Sequence, residues 1–181
     1  MAVAAGAFTG LDQWAVDHVM PGGHFTGGEP SLLDSLVPLA GTHWSSAWSV
    51  ASGVVAVPAS FLVALALVAW RSRLLATALI AAVAVETLCK HVLTRPELHH
   101  GIRHIVAFDD SFPSGHALRA VLVAAAFRSP WWTAWAVATI ALIQVAGWHT
   151  PTDLAGGCLL ALLALLGARA LRGRRLPRRR A

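Results

Sequence analysis

Two histidine-containing segments carry the side chains best suited to chemistry in this sequence. The first runs from Phe112 to His116, where Ser114 is a candidate helix N-cap and Gly115 has no Cβ. The first turn of a helix has unpaired N–H groups and a positive dipole end, which together favour a phosphate. A histidine beside such a site, here His116, can donate a proton to a leaving oxygen. An ordinary Pro-Ser-Gly turn is the structural alternative.

The second segment runs from His149 to Asp153 and also predicts the start of a helix. Thr150 is placed as N-cap and Pro151 lies in the first turn. Asp153 then lies at the third helical position, where it can close a capping box or reach back toward His149. A carboxylate bonded to one imidazole nitrogen fixes the tautomer and leaves the other nitrogen nucleophilic. A capped helix with an interfacial histidine is the alternative.

Glu86 and Lys90 form a third candidate, because these two charged residues interrupt an apolar run. Their spacing of four places both side chains on one face of a helix. An ionisable residue within a membrane-spanning segment marks a functional site by default, which makes Lys90 a candidate ligand for an anion. The alternative is a structural ion pair in which Lys90 extends to the surface.

Apolar helices must position these segments, because the composition excludes an ordinary soluble domain. Of 181 residues, 56% are hydrophobic and only 13% are charged, whereas a soluble domain has about 25% charged residues. The mean hydropathy is +0.62. Five apolar runs are present, at Trp48 to Trp70, Leu74 to Leu93, Ala117 to Phe127, Trp131 to Trp148 and Leu154 to Leu171. A span needs about 20 residues, so the third run crosses only if its helix starts near Ser114.

The N-terminal residues 1–45 are not expected to span, because glycine and proline interrupt them repeatedly. Two short amphipathic pieces remain, Leu11 to Met20 and Ser31 to Leu39. The acidic side chains in these pieces favour a position at the membrane interface. The sequence therefore predicts an interfacial segment at 1–45, a membrane core at 46–171 and a basic tail at 172–181.

The basic residues predict the orientation in the membrane. Seven of the 14 lie in the last 13 positions, and Arg71, Arg73 and Arg128 fall on the same side if all five runs cross. The positive-inside rule makes that side cytoplasmic, and the basic tail then faces anionic lipid rather than nucleic acid. The opposite, extracytoplasmic side receives all nine histidines and nearly all of the acids. We expect a multi-pass protein of a bacterial inner membrane.

Taken together, the three segments resemble the motifs of the type 2 phosphatidic acid phosphatase family. These integral membrane lipid-phosphate phosphatases share a helical core with vanadium haloperoxidases, and their motifs are K-x6-R-P, P-S-G-H and S-R-x5-H-x3-D. The resemblance covers about residues 46–171. The matching positions are Lys90, Ser114, Gly115, His116, His149 and Asp153. The resemblance implies the helical core of this family. Together with the apolar runs it predicts an all-α integral membrane fold with about five transmembrane helices and N-terminal interfacial amphipathic helices.

Two phosphate-binding arginines of the family are displaced or absent in this chain. Where the first motif has Arg-Pro, the chain has Glu97 and Leu98, and an Arg-Pro pair begins two residues earlier at Arg95. Where the third motif has Ser-Arg, the chain has Leu142 and Ile143. Neither of these apolar side chains can bind phosphate.

Arg119 is the candidate that compensates for these losses. It lies three residues after His116 on the same side of the predicted helix, and an arginine in an apolar helix needs an anionic partner. A phosphate would serve, and so would an ion pair with Glu97, Asp109 or Asp110. Arg95 is the second candidate for phosphate binding and Arg103 the third.

The resemblance implies phosphoryl transfer in two steps without a metal or other cofactor. His149 is the implied nucleophile, Asp153 orients it, and His116 protonates the leaving oxygen before it activates water. The implied phosphate ligands are Lys90, Ser114, Gly115, Arg119 and Arg95. The expected substrate is a lipid phosphate, such as a polyprenyl diphosphate, a phosphatidylglycerol phosphate or a phosphatidate.

Three other interpretations were weighed against this one. A zinc or manganese site in the loop before the third run would use His99, His100, His104, Asp109 and Asp110. This loop lacks a full ligand signature and fits better as a cover that touches head groups. A catalytically impaired relative that binds anionic head groups is the second interpretation. A transporter is disfavoured, because the runs contain few polar residues and no pair of broken helices.

Overall fold

The computed structural model describes residues 6–19, 57–105, 111–145 and 147–175. Six helices lie in these ranges: α1 (Thr9–His18), α2 (Val57–Arg71), α3 (Arg73–Val92), α4 (Gly115–Phe127), α5 (Pro130–Val145) and α6 (Pro151–Arg175). Between α3 and α4, β1 (His99–His100) and β2 (Arg103–His104) form a two-residue antiparallel pair. Apart from this small hairpin, the predicted helical architecture is confirmed within the described ranges.

Helices α2 to α6 coincide with the five apolar runs, but their lengths differ. Helix α3 has 20 residues and α6 has 25, and both contain a stretch long and apolar enough to cross a membrane. Helices α4 and α5 have only 13 and 16 residues, less than the roughly 17 to 25 that a span requires. Among the described helices two therefore meet the criteria for a span, and five crossings stay a prediction.

The outward surfaces of the two long helices are apolar. Exposed large side chains include Ile80, Val85 and Leu88 on α3 and Leu159, Leu162, Leu163 and Leu166 on α6. A helix bundle in water turns such side chains toward its core and keeps large apolar patches covered. This surface is therefore the one expected of helices in contact with lipid.

Helix α4 forms the centre of the bundle, which explains why so short a helix is so apolar. Leu118, Leu122 and Val123 are completely buried, and they belong to a cluster shared with α2, α3 and α6. The opposite side of α4 packs against α5. The helix begins where the sequence predicts, because the hydroxyl of Ser114 accepts a hydrogen bond from the N–H of Ala117.

The first turns of α4 and α6 touch each other directly. The N–H of Ser114 donates to the carbonyl oxygen of Asp153 at 2.9 Å. The predicted capping box of α6 is confirmed: the N–H of Thr150 donates to Oδ2 of Asp153 at 2.9 Å, and the N–H of Asp153 approaches Oγ1 of Thr150 at 3.4 Å. Both histidine-containing segments therefore meet at one end of the bundle.

Helix α1 differs from the predicted interfacial piece, because one of its acids is buried. Asp12 is only 2% exposed, and its carboxylate accepts hydrogen bonds from the N–H and the hydroxyl of Thr152. Gln13 bonds both the N–H and the carbonyl of His99. Helix α1 is thus tied to the hairpin and to the start of α6. The second predicted amphipathic piece, at 31–39, lies outside the described residues.

Candidate active site

His116 and His149 lie against each other where α4 and α6 begin. Nδ1 of His116 is 3.2 Å from Nε2 of His149, which is hydrogen-bond distance. The ring centroids are 5.3 Å apart, and Trp148 packs on the ring of His116 with centroids 5.6 Å apart. The direct contact between the first turns of α4 and α6 brings these two rings together.

The surroundings of His149 indicate which of its nitrogens carries the proton. Its Nδ1 is 3.6 Å from Oδ2 of Asp153, longer than a hydrogen bond but close enough for a favourable electrostatic interaction. A proton on Nδ1 faces this carboxylate, which leaves the lone pair of Nε2 directed at His116. We infer that Nδ1 of His116 donates to it. The other nitrogen of His116, Nε2, is buried and has no protein partner in the described part of the chain.

The carboxylate of Asp153 is completely buried and held on both oxygens. Oδ2 accepts from the hydroxyl of Ser111 at 2.7 Å in addition to the N–H of Thr150. Oδ1 accepts from Nη1 of Arg95 at 2.5 Å. These contacts fix the orientation of the carboxylate beside His149. A group that orients a nucleophile must itself be held in a fixed orientation.

Arg95 is not directed at the histidine pair, in contrast to its expected role as a phosphate ligand. Its side chain is 4% exposed and bridges two carboxylates, those of Asp153 and Asp12, each at 2.5 Å. Nη1 also donates to the hydroxyl of Ser111 at 3.0 Å. Two buried carboxylates need a cation nearby, and the planar guanidinium serves both at once. Arg95 is therefore a positioning residue for Asp153.

Asp12 and Ser111 are members of this cluster that the sequence did not reveal. The sequence predicts Asp12 on an amphipathic segment at the membrane interface, and it gives no signal for a role of Ser111. Asp12 is 83 residues from Arg95 and 140 from Thr152 in the chain. No local pattern signals contacts at such separations, because they depend on where α1 docks.

Lys90 of α3 and Arg119 of α4 meet at the carboxylate of Glu86, beside the first turn of α4. Nζ of Lys90 is 3.2 Å from Oε1 of Glu86, and Nη2 of Arg119 is 3.8 Å from the same oxygen. Nε of Arg119 also donates to the carbonyl of Gly115 at 2.9 Å. Both cations are close enough to act electrostatically on His116. The two positive charges expected at a phosphate site thus lie beside the proposed proton donor.

Among the described residues, the ion-pair partner of Arg119 is Glu86, which is not one of the acids proposed from the sequence. Glu97 lies near the ring of His99 on the hairpin, at 3.8 Å, and Asp109 and Asp110 lie outside the described residues. The sequence predicts an ion pair of Glu86 with Lys90 alone, because it shows only their spacing within one helix. The packing of α3 against α4 brings Arg119 to the same carboxylate.

Ser114 caps the helix as the sequence predicts, whereas Gly115 has a role that the motif alone does not show. The hydroxyl of Ser114 is buried and caps α4. A Cβ on Gly115 would overlap the carboxylate of Glu86 and the guanidinium of Arg119. The missing Cβ was expected to admit a phosphate, and here the side chains of the charged cluster use that space.

Within the described ranges, no cation takes the place of the arginine that the third motif lacks in this chain. Ile143 is completely buried against Ala117 and Leu154. The next residue, Gln144, has a buried side-chain nitrogen without a partner among the described residues. The cations described around the histidine pair are therefore Lys90 and Arg119, with Arg95 bound to carboxylates.

The hairpin places two of the histidines proposed as metal ligands beside each other. The rings of His99 and His104 face each other across β1 and β2, with centroids 5.7 Å apart. Within the described ranges, however, no three side chains of His, Cys, Asp or Glu are grouped so that they could hold a metal ion.

No protein-family profile, no curated protein and no solved structure matches this chain significantly. The function must therefore be argued from the arrangement of the site itself.

Proposed function

We propose that this protein is a membrane lipid-phosphate phosphatase that acts through a phosphohistidine on His149. The observation that supports it most is the alignment of a buried carboxylate, a nucleophile and a proton donor. Asp153 lies 3.6 Å from Nδ1 of His149, and Nε2 of His149 lies 3.2 Å from Nδ1 of His116. An oriented nucleophile next to an acid–base group is the recurring pattern of covalent catalysis.

In the first step, Nε2 of His149 attacks phosphorus while the bond from phosphorus to the lipid oxygen breaks. His116, in its imidazolium form, gives one proton to the departing oxygen and becomes neutral. Asp153 offsets the positive charge that develops on the ring of His149. The two rings lie at hydrogen-bond distance, so a phosphoryl group enters only when they part. Hydrogen bonds to phosphate oxygens then take the place of the one between the rings.

In the second step, water attacks phosphorus and releases the group from His149. His116, which has lost its proton, accepts one from the water as the new P–O bond forms and the P–N bond breaks. Lys90 and Arg119 offset the negative charge on the non-bridging oxygens in both transition states. Every group in this scheme belongs to the chain, so the proposed reaction requires no metal.

The likeness to type 2 phosphatidic acid phosphatase motifs supports a lipid phosphate as the substrate. Lys90, the Pro-Ser-Gly-His segment and the His-x3-Asp segment occur in the family's order. The apolar outer surfaces of α3 and α6 favour a substrate that is itself in the membrane. We propose that the site faces the extracytoplasmic side of a bacterial inner membrane and accepts a polyprenyl, phosphatidylglycerol or phosphatidate head group.

A second candidate function is binding of anionic head groups without turnover. Arg95 is bound to two carboxylates, and Ile143 stands where the family motif has an arginine. Both remaining cations share the carboxylate of Glu86. A site with this reduced positive charge would still attract phosphate and would stabilise a transition state less.

The proposal is tested by phosphate release from lipid mono- and diphosphates, using purified detergent-solubilised protein with EDTA present. We expect turnover by the wild type and a loss of at least about 10³-fold in His149→Ala, as for removal of a nucleophile elsewhere. His91→Ala is the matched control, because that exposed histidine bonds only the carbonyl of Thr87 in its own helix.

The outcomes of this assay separate the two candidate functions. Wild-type protein should also acquire an acid-labile phosphoryl group from labelled substrate, and His149→Ala should not. Near-normal turnover by His149→Ala would overturn the nucleophile assignment. Tight binding of lipid phosphates by folded wild-type protein, with no phosphate released, would favour the binding function. Inhibition by EDTA that one metal reverses would overturn the metal-independent scheme.

A further inference from the structure

Four arginines surround a cavity at the end of the bundle opposite the histidine pair. The cavity has a volume of about 290 Å³. Its arginines are Arg71 at the end of α2, Arg128 after α4, and Arg169 and Arg172 near the end of α6. None of the described residues that line it is acidic. Four positive charges without a carboxylate among these residues create a strong local attraction for an anion.

The N-terminus of α3 opens into the same cavity. Ser72, the N-cap of α3, lines the cavity together with Leu74 and Leu75 of the first turn. The hydroxyl of Ser72 accepts from the N–H of Leu75, and the preceding N–H groups have no acceptor within the helix. The first turn of α3 contains no acidic side chain, so its positive dipole end adds to the charge of the arginines.

The fold fixes the backbone of one of these arginines and the guanidinium of another. Arg128 ends α4 in a left-handed conformation with φ 52°, and its N–H donates to the carbonyl of Ala124. The guanidinium of Arg71 lies over the ring of Phe127, 5.4 Å from its centroid. Phe127 in turn stacks on Trp132. A cation held over an aromatic ring has lost part of its freedom before any ligand binds.

An apolar groove continues from this cavity along the outside of α3 and α6. Its volume is about 310 Å³, and small side chains such as Ala78, Ala81, Ala164 and Gly167 form much of its wall. Leu74 and Ala168 line both the cavity and the groove, so the two spaces adjoin. An anionic group in the cavity and a hydrocarbon chain in the groove would therefore be neighbours.

We propose that the arginine cavity and the α3–α6 groove together bind one anionic phospholipid. Its phosphate lies among the four arginines at the start of α3, and one acyl chain lies in the groove. Charge complementarity and the continuity of the two spaces favour this occupant. A free anion would use only the cavity, and a neutral lipid would use only the groove. The site lies at the far end of the bundle from His149 and does not depend on the proposed catalytic function.

Native mass spectrometry of the detergent-purified protein tests this proposal. Phosphatidylglycerol and phosphatidylcholine with the same acyl chains are titrated, and glycerol phosphate serves as the free head group. We expect phosphatidylglycerol to bind at least about tenfold more tightly than phosphatidylcholine, because the arginines attract its net negative charge. We expect a preference of similar size over glycerol phosphate, because only the lipid has a chain for the groove. The double variant Arg128→Gln/Arg169→Gln should lose most of this preference.

Matched controls separate a defined site from general attraction. Arg73→Gln removes one charge from the same end, at an exposed residue that does not line the cavity, and should leave binding unchanged. A Cβ added at Gly167 or at Gly173 meets open space, and of these two glycines only Gly167 lines the groove. Gly167→Leu should therefore weaken phosphatidylglycerol binding, and Gly173→Leu should not. Unfolding temperatures without lipid show that the variants are folded.

Three results would overturn the proposal. Equal affinity for phosphatidylcholine would show that the arginines do not select the lipid. Equal affinity for glycerol phosphate would show an anion site without a chain-binding groove. Arg73→Gln could also weaken phosphatidylglycerol binding as much as each replacement in the double variant does. That result would show diffuse attraction to a basic surface and no defined site.

Discussion

The charged side chains around the histidine pair form two groups of opposite net charge. Among the described residues near His149, the carboxylates of Asp12 and Asp153 share one cation, Arg95, which leaves one negative charge in excess. Among those near His116, Lys90 and Arg119 share the carboxylate of Glu86, which leaves one positive charge in excess. The negative group suits a ring that becomes positive during attack, and the positive group suits phosphate oxygens. Each buried ion also has a partner, as burial in low dielectric requires.

Arg119 is the residue whose replacement best tests the positive group. In Arg119→Ala we expect a higher KM and a lower kcat, with kcat/KM reduced by about 10² to 10³, the usual cost of one charge-stabilising donor. Steady-state kinetics on the preferred lipid phosphate measure this. Arg73→Ala at the opposite end of the bundle is the control. Unchanged kinetics in Arg119→Ala would leave Arg119 with a purely structural ion pair to Glu86.

At the scale of the elements, the site depends on how closely the starts of α4 and α6 approach. Two glycines of α6 permit this approach. A Cβ on Gly156 would meet the ring of Phe112 at 2.5 Å, and one on Gly157 would overlap the carbonyl oxygen of Ser114. The second contact is with backbone, which cannot move aside as a flexible side chain can. The contact between His116 and His149 therefore depends on Gly157, which has no side chain that could take part in a reaction.

Gly157→Ala should separate the two helix starts. We expect a loss of about 1 to 3 kcal/mol in stability, the usual cost of overpacking, together with a marked loss of phosphatase activity. Thermal unfolding in detergent and the phosphate-release assay measure the two effects. Gly167→Ala is the matched control in the same helix, because its Cβ meets nothing within 4 Å and helix propensity favours alanine by about 1 kcal/mol. Equal stability of the two variants would contradict the close-approach argument.

At the scale of the whole molecule, the two ends of the bundle differ in chemistry. One end has the histidine pair and the paired charges, and the other has the arginines of the cavity. Between them, α3 and α6 expose apolar side chains. We propose, from the positive-inside rule, that the arginine end faces the cytoplasm and the histidine end faces outward.

Cysteine labelling in intact cells tests this orientation. Ile102 at the hairpin is completely exposed, and Gly173 is exposed near the end of α6. In a background where Cys89 and Cys158 are replaced by alanine, Ile102→Cys should react with a membrane-impermeant maleimide. Gly173→Cys should react only after the membrane is permeabilised. The reverse pattern would place the histidine pair in the cytoplasm and overturn the proposed topology.

The sequence by itself determined the helices and their starts. Apolar runs predict helices because burial or lipid contact stabilises apolar helices. Ser114 and the Thr150–Asp153 box mark helix starts through hydrogen bonds between residues three positions apart. The i, i+4 pair of Glu86 and Lys90 is equally local. Such features require only neighbouring residues, so one sequence is enough to predict them.

Only the tertiary structure decided how the charged residues pair. The packing of α3 on α4 places Glu86 within ion-pair distance of Arg119. The docking of α1 on α6 buries Asp12 beside Arg95. Arg95 thereby becomes a positioning residue for Asp153, although its sequence position suggested a phosphate ligand. A guanidinium pairs with whichever carboxylates the packed helices bring within reach. That choice depends on helix rotation and docking across up to 140 residues of chain, which no local spacing encodes.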